Sequence, residues 1–262
     1  MIYKSEVVQK PNLHILTIAV DKYRDGDLRL NYSVDDAIAI IDRLKQIAKP
    51  LFDDIFVYNI YDDEVRKGNI KTKFEEIGRN TTREDVFLMF VAGHGITNKS
   101  DGSYYFLPVD FRYTSEKAVV EQGVSMNDFK MYLSNVKALK SLLLIDTCNS
   151  GSFAEAISSR GMIEKTAINK LVRATGRATI VASSRDQVAL EGYEGHGVFT
   201  YIILEALKGD ADSNRDGRIT INELATWIEE KLPEVTYKKW GYEQIPQKSL
   251  LGMDFPIGVK LR

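Results

Sequence analysis

Five short apolar runs constrain this chain most: 13–20 (LHILTIAV), 55–60 (IFVYNI), 86–92 (VFLMFVA), 142–145 (LLLI) and 178–182 (ATIVA). Most are continuous rather than alternating. A strand with one wet face alternates apolar and polar residues, and a strand covered on both faces does not. The runs therefore point to a parallel sheet enclosed between two layers. Helical periodicity fills the gaps. Val34, Ala37, Ile38, Ile41, Leu44 and Ala48 recur at three- and four-residue steps, as do Ile70, Phe74 and Ile77. Met126, Phe129, Leu133 and Val136 form a third such face, and Phe199, Ile202, Ile203, Ala206 and Leu207 a fourth. Ser33 with Asp36 resembles a capping box that opens the first helix, and Ser125 with Asp128 marks the start of the third.

Strands alternating with helices predict an α/β fold, a mostly parallel sheet with helices on both faces. No repeat, composition break or low-complexity linker divides the 262 residues, so one domain over 1–262 is expected. The stretches 110–124 and 154–170 are the least regular and read as long loops. A net charge of −2 gives no electrostatic case for nucleic acid or an anionic membrane as partner. The N-terminal residues lack a secretory pattern, and no apolar stretch approaches the ~18 residues of a membrane span. One cysteine excludes an internal disulfide and a thiolate zinc cage, and a reducing, cytoplasmic setting is the expectation.

Ligands of open α/β sheets bind beyond the carboxyl ends of the strands. Two reactive residues fall at that place. The run VFLMFVA ends in Gly93-His94-Gly95, and the run SLLLID ends in Thr147-Cys148-Asn149-Ser150-Gly151. A thiol with a pKa near ~8.5 is only slightly ionised at neutral pH, so it needs a base. An imidazole on the same rim can take its proton and later protonate a leaving amine. The flanking glycines let a substrate backbone approach, and the N–H groups of Gly95 and Cys148 are the expected oxyanion donors. His196 also lies in Gly-His-Gly, but it follows no apolar strand and leads into a helix. It and His14, inside a strand, read as structural.

The run FVAGHG and, 54 residues later, DTCNSG resemble the two catalytic blocks of caspase-like cysteine peptidases of clan CD. The D-x-C-x-S-G form is similar to that of metacaspases and bacterial orthocaspase-like proteins. The resemblance runs from the first strand to the Gly197-Val198-Phe199-Thr200 helix start. It implies a three-layer caspase-like sandwich and a cysteine endopeptidase whose chemistry needs no cofactor. Asp146, two residues before Cys148, shares a strand face with it and suits a receptor for a cationic side chain. The resemblance implies the same, an acidic pocket and protein or peptide substrates with Arg or Lys at P1. It matches Asp36 to a second pocket acid, with Asp35 as the fallback, and places Ser183 and Asp186 at another pocket wall.

The segment 212–223 matches an EF-hand-like loop, D-x-[DN]-x-[DN]-G-x5-E. Asp212, Asn214 and Asp216 offer side-chain oxygens, Arg218 its carbonyl, and Glu223 a bidentate carboxylate. Calcium is the expected ligand, although the loop is single. Caspase-like enzymes are often cut in the loop after the cysteine strand. Arg160, Lys165, Lys170, Arg173 and Arg177 are basic sites for self-cleavage there, with Arg160-Gly161 first. Regulation by such processing, by calcium or by a further protein or domain is expected. The competing readings are a silent caspase-like scaffold and a calcium-responsive interaction module.

Overall fold

A computed structural model describes residues 10–148, 177–182 and 192–261. In chain order its elements are β1 (Leu13–Ala19), α1 (Ser33–Ala48), β2 (Ile55–Tyr61), α2 (Lys67–Asn80), β3 (Val86–Thr97), β4 (Tyr104–Phe106), α3 (Glu116–Gln122), β5 (Val124–Ser125) and α4 (Met126–Ser134). They continue with β6 (Lys140–Cys148), β7 (Ala178–Ala182), α5 (Val198–Glu205), β8 (Arg218–Thr220), α6 (Ile221–Trp240), β9 (Gln247–Ser249) and β10 (Pro256–Val259). The five apolar runs became β1, β2, β3, β6 and β7. They pair in parallel in the order β2-β1-β3-β6-β7, and β9 closes one edge antiparallel to β7.

The continuity of the runs has a direct cause. Successive side chains of each central strand enter opposite cores. Leu16 and Ile18 of β1, Phe87 and Met89 of β3 and Leu143 of β6 pack with Phe74 of α2 and Phe129 of α4. Leu13 and Ile15, Leu88 and Phe90, and Leu142 and Leu144 pack on the other face with α1, α5 and α6. Each such side chain stabilises the fold by about 1.5–3 kcal/mol relative to exposure. The result is the expected α/β sandwich, a mostly parallel sheet with helices on both faces. β1 has β2 on one side and β3 on the other, so the chain reverses its direction of growth between β1 and β3. In open sheets such a reversal marks where ligands bind, outside the carboxyl ends of the strands.

Two local expectations need correction. The 110–124 stretch is not a plain loop: it holds α3, whose N-cap Ser115 accepts from the Ala118 amide, and β5. Its helical signal is short, resting on Ala118 and Val119. Ser33 does not cap α1. The N-cap residue is Tyr32, and Asp21 accepts from the Ser33 amide at 2.8 Å and the Val34 amide at 3.1 Å. A carboxylate twelve residues upstream thus does the capping, which frees the Asp36 side chain for another use. The Ser125–Asp128 box forms in full. The 154–170 stretch lies outside the described residues. Among the described residues, no helix is long and apolar enough to cross a membrane.

Candidate active site

β3 outruns β1. Its pairing with β1 stops at Ala92↔Ala19, whereas its pairing with β6 continues through Gly93↔Thr147 to His94↔Cys148. The His94 and Cys148 backbones are therefore direct neighbours, one strand spacing of about 4.8 Å apart, on the rim where ligands bind in such sheets.

Past β1, the hairpin partner β4 pairs with β3 from Gly95↔Phe106 onward. The Leu107 amide donates to the His94 carbonyl at 2.9 Å. An antiparallel rung would return a bond from the His94 amide to the Leu107 carbonyl. Here the Tyr23 hydroxyl stands in that rung: it accepts from the His94 amide at 2.8 Å and donates to the Leu107 carbonyl at 3.2 Å. Tyr23 is 1% exposed, and burial pushes its hydroxyl pKa well above the ordinary range, so it stays a donor. Gly93, at φ +153°, leaves room for it, since a Cβ there would come 2.8 Å from the hydroxyl. Gly95 is equally constrained, because a Cβ would run into the Tyr104 ring. Tyr104 in turn donates to Thr147 Oγ1 at 2.6 Å and so pins β4 to the residue before Cys148.

The His94 imidazole is 2% exposed, and its Nε2 lies 2.9 Å from the Leu28 carbonyl oxygen. A carbonyl only accepts, so Nε2 carries the proton and the neutral ring has its lone pair on Nδ1. The Tyr23 ring flanks the imidazole at 5.1 Å between centroids. Leu28 and Tyr23 were not singled out in the sequence. A backbone carbonyl leaves no residue signature, and Tyr23 sits in an unpatterned loop.

The acids form a second cluster. A tight turn from Tyr193 to His196 exchanges two backbone hydrogen bonds of 2.9 and 3.0 Å. Its central residues, Glu194 and Gly195, have φ of 51° and 85°, the signature of a primed hairpin turn. Tyr193 anchors it edge-on against Tyr201 at 4.8 Å. The turn delivers His196 and then Gly197, the N-cap of α5. Asp36 Oδ1 accepts from His196 Nδ1 at 2.7 Å, and Oδ2 accepts from the Gly197 amide at 3.0 Å. A Cβ on Gly197 would lie 2.9 Å from Asp36 Oδ2 and 3.4 Å from Asp146 Oδ2. The missing side chain thus lets two carboxylates from distant segments occupy one corner. Asp36 is 2% exposed, Asp146 is half-buried, and Asp35 is exposed on the outside of α1. Burial holds the His196 pKa below its ordinary value, partly opposed by Asp35. His196, read as structural from its context, bonds directly to a candidate pocket acid. Its Gly-His-Gly setting was visible, but its partner lies 160 residues away.

Ser183 and Asp186 lie outside the described residues, as do Arg160, Lys165, Lys170 and Arg173. Arg177 is engaged structurally, donating to the carbonyls of Leu133 and Val136, each at 2.9 Å. The 212–223 loop follows a π-helical turn, Ala206–Asp210, and leads into α6. Asp212 accepts from the amides of Asp216 and Gly217, Asn214 from that of Asp216, and Asp216 from that of Arg218. Glu223 reaches back to Ser213 and Asn214 while closing a capping box with Thr220. Ile219 is buried, in a strand paired with β10. Among the described residues, no three His, Cys, Asp or Glu side chains converge as a metal-holding group.

The sequence profile of the caspase domain, a peptidase family, matches residues 13–254. No curated protein matches the chain. Among solved structures, protein GSU0716 from Geobacter sulfurreducens aligns over 93% of this chain and 94% of its own, with a TM-score of 0.60 at 13% identity. That likeness is one of fold.

Proposed function

The chain belongs to the caspase-domain family of cysteine peptidases, and from that premise we propose an active metacaspase-type endopeptidase that cleaves after Arg or Lys, with Cys148 as nucleophile and His94 as base. The observation that carries it is the β3–β6 register, which sets His94 beside Cys148 at the sheet rim. In this reading, Nδ1 of His94 takes the thiol proton as sulfur attacks the scissile carbonyl. The Leu28 carbonyl holds the ring tautomer and steadies the imidazolium that forms. The amides of Gly95 and Cys148 receive the developing oxyanion. His94 then protonates the leaving amine, and water releases the acyl-enzyme. Asp146, with Asp36 behind it, supplies the anionic receptor for a P1 guanidinium or ammonium, supported by their meeting at Gly197. Ser183 and Asp186 complete the proposed pocket. Matched fluorogenic peptides test it: turnover with Arg or Lys at P1, none with Asp, and loss of turnover in Cys148→Ala. Equal turnover by Cys148→Ala would remove the nucleophile, and efficient Asp cleavage would remove the pocket.

The 212–223 loop is proposed to bind calcium through Asp212, Asn214, Asp216, the Arg218 carbonyl and Glu223. Support comes from the motif and from Gly217 at φ +81° in its turn. Glu223 would have to exchange its bonds to Ser213 and Asn214 for the ion. Calorimetric titration should show binding that disappears in Glu223→Gln; absence of heat with the wild type rejects it. Self-cleavage at Arg160-Gly161 is proposed as the activating step. It predicts fragments by mass spectrometry in the wild type that are missing from Cys148→Ala.

A further inference from the structure

The His196–Asp36 bond places a titratable ring against one of the two acids proposed to recognise P1. Three observations make that contact consequential. Asp36 spends Oδ1 on His196 and Oδ2 on the Gly197 amide, and it is nearly inaccessible, so it stands behind the half-buried Asp146. The turn that carries His196 is braced by two backbone bonds and by Tyr193 packing, which hold its backbone beside Asp36. The imidazole is nonetheless 27% exposed, enough to exchange protons with solvent.

We propose that His196 and Asp36 form a charge-adjusting pair for the P1 pocket: neutral His196 leaves Asp36 as a second anion beside Asp146, and protonated His196 cancels it. Affinity for a cationic side chain then falls on acidification as His196 takes up its proton. The proposal rests on the basic-P1 reading and adds a control to it.

Among the described residues, charged groups from several elements surround His196. On α1 these are Asp35, Asp36, Asp42 and Arg43, and on β6 the pocket acid Asp146. Glu194 belongs to the ring's own turn, and Glu205 of α5 pairs with Lys208 just beyond it. With Lys208 paired, the surroundings are mainly anionic, yet burial keeps the ring neutral at neutral pH. Acid adds the proton at Nε2, while Nδ1–H keeps its bond to Asp36. The geometry thus persists while the charge changes.

Agmatine, which carries the arginine guanidinium without a scissile bond, isolates binding from chemistry. Its dissociation constant is measured at pH 7.5 and pH 5 with the wild type and with His196→Asn, whose amide retains a donor near the Nδ1 position. His196→Gln serves as a second variant, and melting curves verify folding. Linkage predicts that agmatine weakens with acidification on the order of tenfold in the wild type, the scale for one charge close to a bound cation. The variants should change about twofold or less. Equal pH dependence in wild type and folded variants overturns the proposal while leaving a basic pocket in place. No agmatine binding to the wild type at pH 7.5 overturns both. The expected difference without Arg-peptide hydrolysis supports the pair and removes only the peptidase reading.

Discussion

Two of the three histidines, His14 on β1 and His94 on β3, are buried to nearly the same degree at opposite ends of neighbouring strands. At the amino end of the sheet, the His14 ring stacks on Phe56 at 4.9 Å, its Nδ1 lies 3.3 Å from the Tyr58 hydroxyl, and its Nε2 is 3.5 Å from Asp85. Asp85 is itself held by the amides of Asn12 and Thr82. His14 thus ties side chains together within the fold. At the carboxyl end, a loop carbonyl fixes His94, a tyrosine rung holds its backbone, and the cysteine strand lies alongside. Burial and residue type are shared; strand end and partners are not. Depth of burial is therefore a poor guide to chemistry here, and the location of the ring in the sheet is a good one.

The largest expected effect separates these two ends directly. His94→Ala and Cys148→Ala should each lower Arg-peptide hydrolysis by roughly a thousandfold or more in protein that still folds. His14→Ala should do the reverse, costing about 2–3 kcal/mol of stability in urea titrations with kcat/KM nearly unchanged while folded. A folded but inactive His14→Ala would break the comparison. Asp146→Asn should come next, lowering kcat/KM for Arg peptides about a hundredfold, chiefly through KM, because a buried cation loses its partner. Tyr23→Phe sharpens the contrast further. It empties the rung between His94 and Leu107, so kcat should fall about tenfold at unchanged KM, with a loss of about 1–2 kcal/mol.

The smallest effect is a pH dependence of stability at the amino end. Burial lowers the folded-state pKa of His14 from its ordinary 6.5, against the opposing pull of Asp85. The unfolded chain then binds this proton more readily than the folded one. His14 therefore contributes stability above pH 6.5 that declines as pH falls toward the lowered value. Denaturant midpoints of His14→Phe should decline less between pH 7 and pH 5 than those of the wild type. An identical slope would relieve His14 of this role.

The legible parts of the fold are those decided by local pattern. β1, β3 and β6 announced themselves because both faces of each are buried, and α1, α2, α4 and α5 because one face of each is. β9 and β10 did not, since QKS and PIGV become strands only by pairing with β7 and β8. α3 is too short to carry a periodicity. In the site, His94 and Cys148 stood out because strand tips and glycines mark them. Asp36 was recognised by its place in a motif, but with the wrong local partner. Only the folded chain brings His196 to it and lets Asp21 replace Ser33 at the cap. What depended on long-range pairing stayed hidden.

The glycine at 258 in β10 has a further consequence. A β-carbon there would overlap the Ile47 side chain, so the ribbon joining the 212–223 loop to the end of the chain presses on the last turn of α1. Asp36 lies in the first turn of the same helix, whose 16 residues span about 24 Å. Close-packed interiors have low compressibility and leave little slack at such a contact. α1 therefore joins that ribbon to the corner where the carboxylates meet, with Ile47 at one end and Asp36 at the other, and bulk added at 258 would have to be absorbed where Ile47 already fills the space.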